Sequence, residues 1–204
     1  LENKESIGEK ELLDKALGGW RGLVDSALPS LLFVIIFVVQ NDLNLALIVS
    51  VISGVILLII RLIERKSLTQ VLGGFFGLLF SVFLTWRTND ASNFFLTGII
   101  TNLVYGLALF VSLLVKRPLL GYLVGSLVAN TSGWLQDPLL VRAYTTITWL
   151  WVGVFSIRVA VQVPLYLADN IAILGPIKIF MGWPLYLFAA WISYRIVQTA
   201  RSKS

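Results

Sequence analysis

Residues 43–60 run for eighteen positions without a charged side chain. As a helix, such a run rises about 27 Å, close to the roughly 30 Å hydrocarbon core of a bilayer. Comparable apolar stretches recur, giving six candidate spans at 24–40, 43–62, 70–86, 94–115, 143–167 and 174–195. The expectation is an all-α, polytopic bundle of six transmembrane helices occupying residues 21–198. Composition agrees. Of 204 residues, 57% are hydrophobic and 13% charged, whereas soluble domains carry about 25% charged residues.

A seventh apolar stretch, 118–129, runs into Asn130-Thr131-Ser132-Gly133. About a dozen apolar residues is short for a span, so 118–135 reads as a re-entrant or interfacial segment. Basic residues arbitrate, because short cytoplasmic loops concentrate Lys and Arg. With six spans and a cytoplasmic N-terminus, Lys4, Lys10, Lys15, Arg21, Arg61, Arg65, Lys66, Lys116, Arg117, Arg142, Arg195, Arg201 and Lys203 fall inside. Only Arg87 falls outside. The reading is a multi-pass plasma-membrane protein with both termini cytoplasmic.

Residues 1–20 are a polar cytoplasmic tail. Ser6 and Glu9 form a capping-box pattern ahead of Leu12, Leu13, Ala16 and Leu17, which predicts a short amphipathic surface helix, with a disordered tail as the alternative. Residues 199–204 form the other cytoplasmic tail. Trp20, Trp86, Trp134 and Trp191 fall near expected interfaces, where amphipathic rings prefer to sit.

Hydrophobicity does not pair helices inside lipid, but small residues let backbones approach. They recur four apart at Ala46, Ser50 and Gly54, at Gly73, Gly77 and Ser81, and at Gly98 and Gly106 around Asn102. Asn102 is expected to hydrogen-bond across a helix interface, with ligand binding as the alternative. Pro29, Pro164 and Pro184 are expected helix breakers. The string Pro-Leu-Tyr-Leu at 164–167 and 184–187 reads as shared packing.

Charge inside a membrane is costly and is the best pointer to function in such a chain. Arg158 is the outstanding case. It sits about nine residues from the outer end of the fifth span, where an arginine costs roughly 2.5–3.5 kcal/mol to insert. Pro184 lacks an N–H and would free the carbonyl of Phe180, to which Arg158 could snorkel outward. The expectation is a polar cluster of Arg158, Gln162, Lys178 and Arg87, open toward the outer leaflet. The alternative is an arginine that merely staples the last hairpin.

Other chemistry is poorly served. Cysteine and histidine are absent, so no metal site or cofactor is expected. No carboxylate lies at mid-membrane, and no nucleophile elbow or phosphate loop appears. An enzyme is not expected, and the basic clusters lie between apolar runs, which argues against nucleic acid. Expected partners are the bilayer and other membrane or envelope proteins, or a second copy.

Several strings are familiar together. They are Gly18-Gly19-Trp20-Arg21-Gly22-Leu23-Val24-Asp25-Ser26 with Leu28-Pro29, Lys116-Arg117-Pro118-Leu119 with Gly121, and Arg142-Ala143-Tyr144. Phe155 to Arg158 with Gln162-Val163-Pro164-Leu165-Tyr166, and Met181-Gly182-Trp183-Pro184-Leu185-Tyr186, complete the set. The chain resembles a mostly actinobacterial membrane family designated domain of unknown function 3159, which implies a plasma membrane and no assigned activity. Leu28-Pro29 with Phe33, Asn93-Phe94-Phe95, Lys116-Arg117-Pro118-Leu119 and Ile177-Lys178-Ile179-Phe180-Met181-Gly182 are also similar in layout to the intracellular septation protein A family. That resemblance implies non-enzymatic support of the envelope or septation. The alternative function is a small transporter or channel for an anionic solute or lipid, using the Arg158 cluster.

Overall fold

A computed structural model of the chain describes residues 19–64, 68–127 and 134–202. The described residues are all-α. The helices are α1 (Gly19–Gln40), α2 (Leu43–Ile63), α3 (Leu68–Thr88), α4 (Asn93–Leu114), α5 (Leu119–Leu127), α6 (Pro138–Leu167), α7 (Ile171–Phe180) and α8 (Trp183–Arg201), with a 3-10 turn at Trp134–Gln136. The surface helix expected within residues 1–20 lies outside the described residues.

Four stretches are long and apolar enough to cross a membrane: Leu43–Ile63, Asn93–Leu114, Pro138–Leu167 and Ile171–Arg201. This corrects the expectation of six spans. Over 24–40 and 70–86 the apolar helices are shorter, Ala27–Gln40 and Gly74–Thr88. These are the parts of α1 (22 residues) and α3 (21 residues) that lie among the described side chains. The last expected span is not one continuous helix either, because it breaks between α7 and α8. In the 118–135 segment, α5 covers Leu119–Leu127, and residues 128–133 lie outside the described residues.

Large apolar side chains point outward in number: Val39 and Ile63 are each 76% exposed, and Phe180 is 79% exposed. Water would not tolerate so much exposed apolar surface on a folded chain, and lipid does.

The turns share one device. Asn41, Asn89, Lys116 and Asp169 adopt positive φ where α1, α3, α4 and α6 end. Left-handed residues close helix C-termini. After α4, the N–H of Lys116 donates to the Leu113 carbonyl at 2.9 Å and that of Arg117 to Ser112 at 2.9 Å. Pro118 then prevents the helix from resuming.

The described residues fall into two units. One holds those up to Thr97 with Asp169–Pro176, the other Gly98–Ala168 with Ile177 onward. In the first, α1 packs on α2 and α2 on α3. Ala46, Ser50, Ser53 and Gly54 form the buried face of α2, and a Cβ on Gly54 would lie 2.4 Å from Leu78 Cδ2. The small-residue face expected on α3 is only partly used: Ser81 is buried, but Gly77 has nothing within 4 Å of its Cβ position. Phe33 stacks on Phe94 with centroids 3.9 Å apart. Ser92 Oγ donates to Asp169 Oδ1 at 2.9 Å.

In the second unit α5 and α8 pack along α6. Trp134 is buried with Tyr144, Ile147 and Val197. Gly121 makes room: a Cβ there would lie 2.6 Å from the indole.

Candidate intramembrane polar site

α6 has 30 residues, about 45 Å. Asp137 starts it, accepting from the Leu139 N–H at 2.8 Å. Arg158 lies nine residues before its end at Leu167, roughly 14 Å in. The side chain is 6% exposed. Its Nη1 donates to the Met181 carbonyl, and its guanidinium carbon lies 4.7 Å from the centroid of the Tyr186 ring. Nε has no hydrogen-bond partner.

Tyr186 is itself held. Its hydroxyl donates to Asn102 Oδ1 at 3.1 Å, and Asn102 Nδ2 donates to the Gly98 carbonyl at 2.8 Å. Trp151 stacks on Tyr186 at 5.7 Å and donates from Nε1 to Ser193 Oγ at 3.1 Å. The face at Gly98, Asn102 and Gly106 is fully used, with Gly106 against Phe155 Cβ at 3.2 Å.

The carbonyl that Arg158 reaches belongs to a helix break. Gly182 caps the start of α8 with φ −79 and ψ −108, and makes no side-chain cap bond. Its N–H donates back to the Ile179 carbonyl at 3.0 Å, and that of Met181 to Ile177 at 2.8 Å. Pro184 therefore sits in the first turn of a new helix, where its missing N–H has no intrahelical role. This corrects the expected kink with a freed Phe180 carbonyl. Met181 lies ten residues beyond Ile171, about 15 Å along the chain. Arg158 thus bonds to the Met181 carbonyl and not to that of Phe180.

Lys178, in the last turn of α7, lies along Gly98, with Nζ 3.7 Å from the Cβ position there. It interacts electrostatically with Arg158. Gln162 lies one turn beyond Arg158 on α6, is 1% exposed, and has an unpartnered Nε2. Arg87 is exposed in the last turn of α3 and belongs to the other unit. Neither Pro29 nor Pro164 ends a helix, since α1 and α6 run through them. Tyr186, which the sequence reading passed over, carries the face of the site. Its signal was the repeated Pro-Leu-Tyr-Leu string.

A family model described as a protein of unknown function, DUF3159, matches residues 17–204. The chain belongs to the DUF3159 family. No curated protein and no solved structure matches it. The matched range takes in every residue of the site.

In this DUF3159 member the site is rich in donors. Among the described residues of its unit the one carboxylate is Asp137, twenty-one residues from Arg158 along α6, about 31 Å away. Met181 and Tyr186 offer the guanidinium a dipole and a ring face but no negative charge. Such an arrangement can hold an anion. No group of three His, Cys, Asp or Glu fit for a metal occurs among the described residues.

Proposed function

We propose that this multi-pass membrane protein acts without covalent chemistry and binds an anionic group, solute or lipid, at Arg158, as a small transporter or channel would. The observation that supports it is a buried arginine whose charge meets no carboxylate among the described residues of its unit and whose Nε is unpartnered. A buried charge left in that state is expensive, and an anion would offset the cost. A second reading, support of the envelope or septation, is favoured by one coincidence. The segment Ile177–Gly182 that carries the septation-protein layout also carries the helix break.

The proposed membrane is the plasma membrane, with both termini cytoplasmic. The ends of α4 and α8 and the start of α6 gather Lys116, Arg117, Arg142, Arg195 and Arg201, while the 168–170 turn has no Lys or Arg. That asymmetry supports a cytoplasmic C-terminus. The polar N-terminal stretch, with Lys4, Lys10 and Lys15, fits the same side.

The test is depletion of the protein in its host, with septa and envelope scored and anionic solute and lipid flux measured in parallel. Complementation with Arg158→Leu is expected to fail to restore flux. Full restoration by that variant overturns the anion-binding reading. A septation defect with unchanged flux favours the second reading.

A further inference from the structure

We infer that the break between α7 and α8 is the receptor itself, and that it takes a phosphate monoester. The inference rests on the anion-binding reading and names the element and the ligand class. Membrane transporters build such sites from interrupted helices. The C-terminal end of one half receives a cation, and the N-terminal end of the other faces an anion. Here the carbonyl end is occupied, because Arg158 Nη1 holds the Met181 carbonyl. The N-terminal end is not capped: Gly182 has no side chain to offer, and no side-chain cap bond is made. The first N–H groups of any helix lack intrahelical partners and carry roughly half a positive charge. Oxyanions seat on such ends.

A second observation is independent of the helix end. Arg158, 6% exposed, reaches the residue immediately before Gly182 and keeps Nε unpartnered. Gln162, 1% exposed and also with an unpartnered donor, lies four residues further along α6. Side chains four apart on a helix have Cβ atoms about 5–6 Å apart, close enough to chelate one tetrahedral oxyanion. Charge selects among anions. Arg158 and Lys178 are both basic side chains, and the two interact electrostatically. A carboxylate would balance one, whereas a phosphate monoester carries about −1.5 to −2 near neutrality. Inorganic phosphate as a free ion and a lipid headgroup ending in a phosphate monoester present the same terminal oxygens, so either can be the source.

The test uses the full chain, with melting followed by tryptophan fluorescence. In detergent micelles, inorganic phosphate is compared with acetate at equal ionic strength. In nanodiscs, phosphatidylcholine is compared with phosphatidylcholine containing phosphatidic acid. A ligand that binds only the folded state raises the melting temperature, and phosphate or phosphatidic acid is expected to do so while acetate does not. Stabilisation by phosphate in micelles identifies a free-ion source, and stabilisation by phosphatidic acid alone identifies a lipid source. Arg158→Lys and Gln162→Leu are each expected to weaken the apparent affinity about tenfold or more, as loss of a bond to a charged group does. Gln162→Leu removes an unpartnered donor, so its ligand-free melting temperature is expected to stay near that of the parent even where Arg158→Lys does not fold. Undiminished stabilisation in Gln162→Leu and in any folded Arg158→Lys overturns the placement at the break. Acetate acting as strongly as phosphate overturns the monoester assignment and leaves the anion reading standing. No stabilisation by any anion overturns both.

Discussion

Tyr186 shows how much a single side chain can coordinate. Its ring faces the Arg158 guanidinium, and its hydroxyl donates to Asn102. Replacing it with phenylalanine keeps the ring and leaves Asn102 Oδ1 without that donor. Interhelical hydrogen bonds in membranes are worth about 0.6 kcal/mol on average, with a maximum near 1.7. Tyr186→Phe is therefore expected to lower stability by about 1 kcal/mol in detergent unfolding. Combined with Asn102→Ala, the losses should fall short of additive, because both remove the same bond. Strict additivity would show that the two side chains do not act together. Lys116 presents the opposite case. It holds a φ of 58, a conformation that costs a residue with a Cβ about 1–2 kcal/mol. Lys116→Gly is expected to stabilise the chain by about 1 kcal/mol, read as a higher unfolding midpoint.

Among elements, the decisive contrast is between prolines. Pro29 and Pro164 lie inside α1 and α6, and the helices run through them. Pro184 opens α8 one position after Trp183, where the chain has already stopped at Gly182. Position in the helix, and not the residue type, decides whether a missing N–H matters. Hydropathy cannot reveal this, because Ile177 to Leu187 stays apolar on both sides of Gly182 apart from Lys178. Helix packing gives a sharper test in the first unit. A Cβ on Gly175 would lie 2.4 Å and 2.9 Å from the two Cγ atoms of Val34. Valine is stiff at χ1 and cannot turn away easily. Gly175→Ala is expected to cost about 1–3 kcal/mol, and adding Val34→Ala should recover part of that loss. A second substitution that only deepens the loss would show that the clash is not the cause.

For the whole molecule the testable property is orientation. The sequence has no cysteine, so single cysteines report their side without interference. Ala168→Cys is expected to react with an impermeant maleimide in intact cells. Gln136→Cys and Ser202→Cys should react only after permeabilisation. The reverse pattern would overturn the assignment of the C-terminus to the cytoplasm. All three positions are exposed, so lack of labelling by burial is not expected.

The sequence alone was enough for the solvent, the helical class and the costly residue. Long apolar runs exist in the chain as written, and one arginine stands out against them whatever the fold. The spacing of Gly98, Asn102 and Gly106 also announced a packing face, because a helix repeats locally. The number of spans was less legible: six apolar runs were read, and four helices are long and apolar enough to cross among the described residues. The partner of Arg158 was not legible at all. Which carbonyl it meets depends on where α7 stops and on how Tyr186 and Asn102 meet across helices, eighty-four residues apart in the chain. Propensity and hydropathy are sums over neighbours in sequence. A buried charge is satisfied by neighbours in space, and only the tertiary structure supplies those.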